Sequence, residues 1–330
     1  MSRYDRQEKF HAFGSASQRR LERLHVLIVG VGALGSGIAE QLTRSGIGKL
    51  TILDKDIVSL SNLHRQSGYL ETDALDVRPK VYALKERLTA MNSHVNVDAL
   101  NMELTSNNVE ALLLKHQPDI ILDGLDRYEP RYLLNEACHK FNFPYIYSAV
   151  VGSQVSVCPI DRHGPCLNCL MPDIPDTMER CSQYGVLPPA VHIASSLVVS
   201  EVFYYVMHGQ FSYKMKAFDI YKNTFKTLDI GNLKEETCEV CQKAYYQRLM
   251  APPQSISSFC GEVIQIRLTT DDFNRRLSPD VTILHENENV KRLAYQHNTM
   301  TFFQDGRLLI YGDCKLKDAH EVARHIFFSS

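Results

Sequence analysis

Two pairs of cysteines and one glycine-rich turn have the residue types and spacing to do chemistry. Cys166-x-x-Cys169 and Cys238-x-x-Cys241 are chelating pairs, each able to present two thiolates to one tetrahedral zinc ion. The gap between the pairs far exceeds the ~15–20 residues of a local zinc ribbon, so tertiary structure has to close such a site. The competing reading, a redox-active CxxC, expects each pair to follow a strand of a thioredoxin-like unit, and neither does. The turn is Gly30-Val-Gly32-Ala-Leu-Gly35, set between the apolar run HVLIVG and an amphipathic stretch. Such a turn lets backbone N–H groups approach phosphate while the following helix N-terminus favours the anion. Asp54 ends the next apolar run, KLTILD, about 20 residues after the last glycine, where a carboxylate accepts ribose hydroxyls. These features admit NAD as readily as ATP.

The run that follows separates the two. It reads Asp54-Lys-Asp56-Ile-Val-Ser-Leu-Ser-Asn62-Leu-His-Arg65-Gln66, and then Arg78-Pro79-Lys80. Hydride transfer needs no cationic cluster beside its ribose-binding strand, whereas a triphosphate does. Arg65 can fork two phosphate oxygens and Lys80 offers a compact charge, together offsetting the negative charge that builds when an α-phosphate is attacked. The plain alternative is a pair of solvated surface cations. Cys181 stands alone in the polar stretch DTMERCSQYGVLPP, where a thiol either reaches a substrate carbonyl or is a bystander. Cys138, Cys158, Cys260 and Cys314 fall in apolar or strand-like contexts and read as core residues. The histidines form no HxH or HExxH pattern and are assigned no metal.

These groups need a scaffold that brings strand ends together. Strand-like runs alternate with helical spacing from His25 to DIILDGLD, with helices read over Arg78 to Met91 and Asn107 to His116. That alternation implies a doubly wound, mostly parallel sheet with ligands at the carboxyl ends of its strands. A long apolar helix is read from about Pro189 to His208, then two short strands lead to the second cysteine pair. Pro-Pro-Gln-Ser-Ile-Ser-Ser reads as a linker, giving a main domain over 1–248, a linker over 249–258 and a small α+β module over 259–330. With 330 residues, 22% of them charged, and a net charge of -2, the chain has no basic footprint, which argues against a nucleic-acid partner. No stretch reads as apolar enough for long enough to span a bilayer, and the charged start MSRYDRQEKFHAF lacks a signal core, so the expectation is a cytoplasmic protein without a membrane partner.

The motif D-x-D-x-V-x-x-S-N-L-x-R-Q followed by P-K resembles the adenylation domain of the MoeB/ThiF family, which ubiquitin-activating enzymes share. Arg3-Tyr4-x-Arg6-Gln7 is similar to that family's opening, and Asp123-x-x-Asp126, Arg131 and Asn135 match its D-x-x-D-N-x-x-x-R-x-x-x-N stretch, with Arg127 in place of the asparagine. The resemblance runs from about Arg3 to Cys241. It implies a Rossmann-like adenylation domain with a structural zinc site held by Cys166, Cys169, Cys238 and Cys241. It implies ATP bound at Gly30, Gly32, Gly35, Asp54, Asp56, Asn62, Arg65, Gln66 and Lys80, with Asp54 on the ribose and Asp126 holding Mg²⁺. It makes Arg65, Lys80, Asp126, Arg6 and Cys181 the catalytic set, with Arg6 reaching into the other subunit of a homodimer.

The implied reaction is adenylation of the C-terminal glycine of a ubiquitin-like sulfur carrier ending in Gly-Gly, either MoaD-like or ThiS-like, with release of pyrophosphate. A sulfur donor of the cysteine desulfurase or rhodanese type would follow. The tail has no Cys-centred anion loop of a fused rhodanese. The phrasing L-S-N-L-x-R-Q leans towards the molybdopterin branch over the thiamine branch. The alternatives are an NAD-dependent oxidoreductase and a non-catalytic pseudo-subunit of the same fold.

Overall fold

The structure, a computed structural model, describes residues 3–172, 185–252, 256–259, 263–312 and 314–327, with only the backbone described over 256–259. Cys181 and Cys260 lie outside these residues. The chain divides into two compact units, Met1–Glu71 with Lys80–Pro252, and Thr72–Pro79 with Pro253–Ser330.

In the first unit, α1 (Asp5–Glu8) and α2 (Gly14–Leu21) precede β1 (His25–Val29), α3 (Ala33–Ser45) and β2 (Lys49–Asp54). After α4 (Glu71–Leu75) come α5 (Lys80–Met91), β3 (Asn96–Asn101), α6 (Val109–His116), β4 (Ile120–Asp123) and α7 (Tyr128–Phe141). Then follow β5 (Tyr145–Val151), β6 (Gln154–Ile160), α8 (Leu167–Leu170), α9 (Pro188–His208), β7 (Lys214–Asp219), β8 (Thr224–Asp229) and α10 (Gln247–Met250). The helix expected from Arg78 begins at Lys80. A residue before proline is pushed out of the helical region, and the Lys80 N–H donates to the Asp56 carbonyl instead.

Eight of the described strands form one sheet in the order β3-β2-β1-β4-β5-β6-β7-β8. β1 runs parallel to β2 and β4, β2 to β3, and β4 to β5. The apolar runs of β1, β2 and β4 are buried on both faces, as parallel strands covered by helices must be. The chain fills one side of β1 with β2 and β3 before returning to the other side for β4. That reversal opens a crevice at the carboxyl ends of β1 and β4. From β5 onward the pairing is antiparallel. Only Gly152 and Ser153 separate β5 from β6, a connection too short for a parallel crossover, and Gly152 takes the positive φ of 61° that the turn needs.

One sequence expectation needs correction. Pro188–His208, the long apolar helix read from about Pro189, is long and apolar enough to cross a membrane by length and composition, although no stretch was expected to be. Half of that window is buried inside the protein. Ala190, Ala194, Val198, Val202 and Val206 recur every fourth residue on the buried side, and α9 packs on α3, β5 and β6 as a core helix.

In the second unit, β9 (Ile256–Phe259), β10 (Val263–Arg267), β11 (Thr282–Glu286), β12 (Val290–Tyr295), β13 (Asn298–Phe303) and β14 (Arg307–Tyr311) form an antiparallel sheet in the order β11-β12-β13-β14-β10-β9. The helix α11 (Ala319–His325) covers a core containing Ile266, Met300, Phe302 and Leu308. Strands therefore dominate this small α+β module. Cys138 and Cys158 are buried core thiols of the first unit, and Cys314 packs against the core of the second.

Candidate active site

The glycine turn is shaped by backbone packing. Gly30 has φ +87° and would place a Cβ 2.7 Å from the Gly124 carbonyl oxygen; a Cβ on Gly35 would fall 1.9 Å from the Gly30 oxygen. Gly124 meets the same oxygen at 2.3 Å. Three glycines thus let the end of β1, the first turn of α3 and the end of β4 touch backbone to backbone. Gly32 differs, because its Cβ would meet only Gln66 Nε2 at 3.8 Å. It is the N-cap of α3 and supplies no side-chain cap, which leaves the first N–H groups of the helix without a capping side chain.

Beside this opening lies a buried charged group. Asp54 is 8% exposed; one oxygen accepts the Val31 N–H at 2.7 Å and the other the Asp56 N–H at 2.8 Å. Burial raises the Asp54 pKa, against the pull of Lys80. Lys80, 5% exposed, places Nζ 3.1 Å from Asp56 Oδ2. Burial alone would depress its pKa, but Asp56, Asp54 and Asp126 outweigh that and raise it, so Lys80 stays charged. Gln66 donates to Asn62 Oδ1 at 2.8 Å, while its own Oε1 is buried with no hydrogen-bond partner among the described residues. An acceptor left unmet beside the Gly32 opening fits a ligand that brings a donor or an ordered water.

The expected residues are not all gathered here. Gly30, Gly32, Gly35, Asp54, Asp56, Asn62, Gln66 and Lys80 are joined by the contacts above. Arg65 is half-buried, with Nη1 on the Ser61 carbonyl at 3.2 Å. Asp126 is exposed just past β4, and its charge is felt at Lys80. Arg6 is exposed on α1 and lies elsewhere. Asn92 Nδ2 donates to Tyr4 OH at 2.8 Å and Gln7 donates to the Ser45 carbonyl at 3.1 Å, which fixes this segment to the C-terminal end of α3. That end is a helix length, roughly 20 Å at ~1.5 Å per residue, from the glycine turn.

The loop after β4 is held from below. Asp123 Oδ1 accepts the Leu125 N–H at 2.9 Å, and its carbonyl accepts Ser148 Oγ at 2.6 Å. Arg131 Nη1 sits 3.5 Å from Asp123 Oδ2 without forming a hydrogen bond, and Nη2 donates to the Leu125 carbonyl. Burial pushes the Asp123 carboxyl up to about 6, with Arg131 opposing. The sequence offered Asp123, Arg131 and Asn135 only as members of a pattern; the four-residue step from Arg131 to Asn135 on one helix was the available sign of a shared face.

The cysteine pairs meet. Cys166 Sγ is 3.8 Å from Cys169 Sγ and 3.6 Å from Cys238 Sγ, and Cys169 Sγ is 3.3 Å from Cys241 Sγ. All four sulfurs lie within 4.8 Å of one another. Zinc–sulfur bonds of about 2.3 Å at tetrahedral angles separate sulfurs by about 3.8 Å, so the cluster fits that ion. A hydrogen bond from Cys166 pulls the Cys169 thiol down to about 4, with the Glu235 N–H also donating; the same bond drives Cys166 upward. Cys181 lies outside the described residues.

Sequence reading gave no sign of a cavity of about 790 Å³ beside the cluster. Tyr147, Val151, Cys158, Met215 and Leu228 line it from β5 to β8, and Tyr128 stands where it nears the loop after β4. Its walls also include Cys169 and Lys234, neighbours of the two cysteine pairs.

Residues 4–240 match the ThiF family. The chain is 31% identical over 329 residues to the sulfur carrier protein ThiS adenylyltransferase of Bacillus subtilis, covering 97% of each protein. It is 32% identical over 245 residues to the molybdopterin-synthase adenylyltransferase of Escherichia coli, covering 73% of this chain and 96% of the relative. Among solved structures, E. coli MccB with ATP shares the fold at a TM-score of 0.62 and 23% identity, over 73% of each chain.

Proposed function

The chain belongs to the ThiF family, as an adenylyltransferase, and from that premise we propose that it uses ATP to adenylate the C-terminal carboxylate of a ubiquitin-like sulfur carrier ending in Gly-Gly. The observation that carries this reading is buried Asp54 and buried Lys80, the lysine paired with half-exposed Asp56, set beside the uncapped N-terminus of α3. An anionic phosphate chain has N–H donors on one side and a permanently charged lysine on the other, while Asp54 remains as an acceptor for ribose. An NAD enzyme would leave Lys80 without work.

A carboxylate is a poor acyl donor because its leaving group would be oxide. Attack of a carboxylate oxygen on the α-phosphorus forms a mixed anhydride as the bond to pyrophosphate breaks. This step needs no side-chain nucleophile; Lys80 and the α3 N–H groups stabilise the developing charge, and Arg65 closes over the phosphates from the solvent side. Asp126 would hold Mg²⁺, a hard cation that neutralises phosphate charge when bound. Arg6, remote within its own chain, serves a second subunit's site in a homodimer. The cavity of about 790 Å³ receives the threaded carrier terminus. Cys166, Cys169, Cys238 and Cys241 would hold a zinc ion that cross-links the segments beside its wall. A separate desulfurase- or rhodanese-type donor then supplies sulfur in the cytoplasm.

The match to the ThiS adenylyltransferase covers 97% of this chain, against 73% for the E. coli molybdopterin relative, and this supports a ThiS-like carrier over the molybdopterin-type carrier towards which the motif phrasing leans. The experiment is pyrophosphate exchange into ATP with each carrier. Exchange that requires a ThiS-type carrier supports the proposal; exchange indifferent to any carrier would sink it.

A further inference from the structure

Helix α7 is tied to both chemical regions of the first unit. At its start, Arg131 holds Asp123 and donates to the carbonyl of Leu125, the residue before Asp126. One turn later Asn135, 1% exposed, accepts from Tyr145 OH at 2.8 Å and from the Leu167 N–H at 2.9 Å, and donates to Asn168 Oδ1 at 2.9 Å. Leu167 and Asn168 are the two residues between Cys166 and Cys169. Glu136 continues the pattern by accepting the Arg248 and Leu249 N–H groups at 2.8 and 3.0 Å. Those residues follow Tyr246, which packs against the cysteine cluster. A helix moves as a body, so the segment between the first two cysteines and the loop before Asp126 cannot shift independently while these bonds hold.

We propose that zinc in the four-cysteine cluster and MgATP at the glycine turn favour one common position of α7, with Asn135 as the positioning residue that couples them. This rests on the nucleotide reading above and goes beyond it by making zinc a determinant of nucleotide affinity. Coupling between binding sites is reciprocal, so nucleotide must raise zinc affinity by the same factor, and the added stability of the zinc-loaded state is expected to show as slower zinc loss.

The test uses the zinc-loaded full chain mixed with excess 4-(2-pyridylazo)resorcinol, with and without saturating ATP and magnesium. Wild type should release zinc about fivefold or more slowly when nucleotide is bound. Lys80→Ala protein controls for zinc binding by free ATP and should show no retardation. Asn135→Ala should lose the retardation even at saturating nucleotide, and Asn135→Asp, which keeps acceptors for Tyr145 and Leu167, should restore most of it. A merely structural asparagine would speed release equally in both conditions, and that result overturns the proposal. If Asn135→Ala does not fold, the wild-type ratio decides. Calorimetry that finds MgATP bound with an unchanged release rate overturns the coupling alone; no MgATP binding overturns the nucleotide reading with it.

Discussion

The parallel and antiparallel halves of the large sheet solve different problems. From β3 to β5, parallel strands, of which β1, β2 and β4 are buried on both faces, converge their carboxyl ends on a turn where three glycines pack backbone to backbone and Asp54 and Lys80 are nearly sealed from water. From β6 to β8 the sheet is increasingly open, until every residue of β8 is exposed, and order comes from a four-sulfur cluster and a cavity wall. The first half has its charges fixed by burial. The second depends on cross-links between distant segments. A small, invariant ligand such as a nucleotide suits the former, and a protein terminus suits the latter.

Each prediction strikes one half and asks whether the other follows. The largest effect is expected from stripping metal: a structural zinc contributes on the order of 10 kcal/mol in small zinc domains, so chelation should lower the melting temperature of the whole first unit in a thermal scan. A scan unchanged by chelator would mean the cysteines are not metal ligands. Next, Lys80→Ala should reduce adenylation by about 10²–10³-fold, as loss of a fixed charge at a reacting group does, with the circular dichroism spectrum retained. Near-normal rates would detach the buried charged group from catalysis.

A pH effect of intermediate size comes from Asp123. Its carboxyl titrates near 6 in the folded chain against 3.8 for the ordinary group, so the folded state favours the protonated form. The stabilising contribution is complete below 3.8 and is lost as pH rises through about 6. Chemical denaturation of wild type and Asp123→Asn should therefore diverge in the variant's favour by up to about 3 kcal/mol between pH 4 and pH 7. A constant difference would show that Arg131 fully compensates the charge. The smallest effect is expected at Cys181: adenylation needs no thiol, so Cys181→Ser should leave pyrophosphate exchange within about twofold of wild type.

The same contrast explains what could be read from the sequence. The glycine turn, Asp54 and Lys80 come from a short stretch whose chemistry depends on local spacing, and Cys-x-x-Cys announces its metal through the same kind of rule. The cavity gave no such sign, because Tyr147, Met215 and Leu228 become neighbours only when β5, β7 and β8 share a sheet. The long apolar helix from about Pro189 to His208 was legible, but the burial of Glu201 within it was not: the structure sets that charge against Lys216 at 2.6 Å and Ser212 at 2.8 Å. Asn135 looks like any helical asparagine until Leu167 and Tyr145 are brought against it. The remote position of Arg6 follows from Tyr4 and Gln7 gripping the far end of α3, a contact that no periodicity encodes.

The most direct measurement is intact-mass analysis of a Gly-Gly-ended carrier after incubation with the enzyme, ATP and magnesium. An AMP adduct should appear on the carrier with a free C-terminal carboxylate, and be absent when that terminus is a carboxamide or when Lys80→Ala enzyme is used. An adduct on the carboxamide carrier, or none on the free acid from ThiS-like or MoaD-like sources, would contradict the assignment of this site to carboxylate activation.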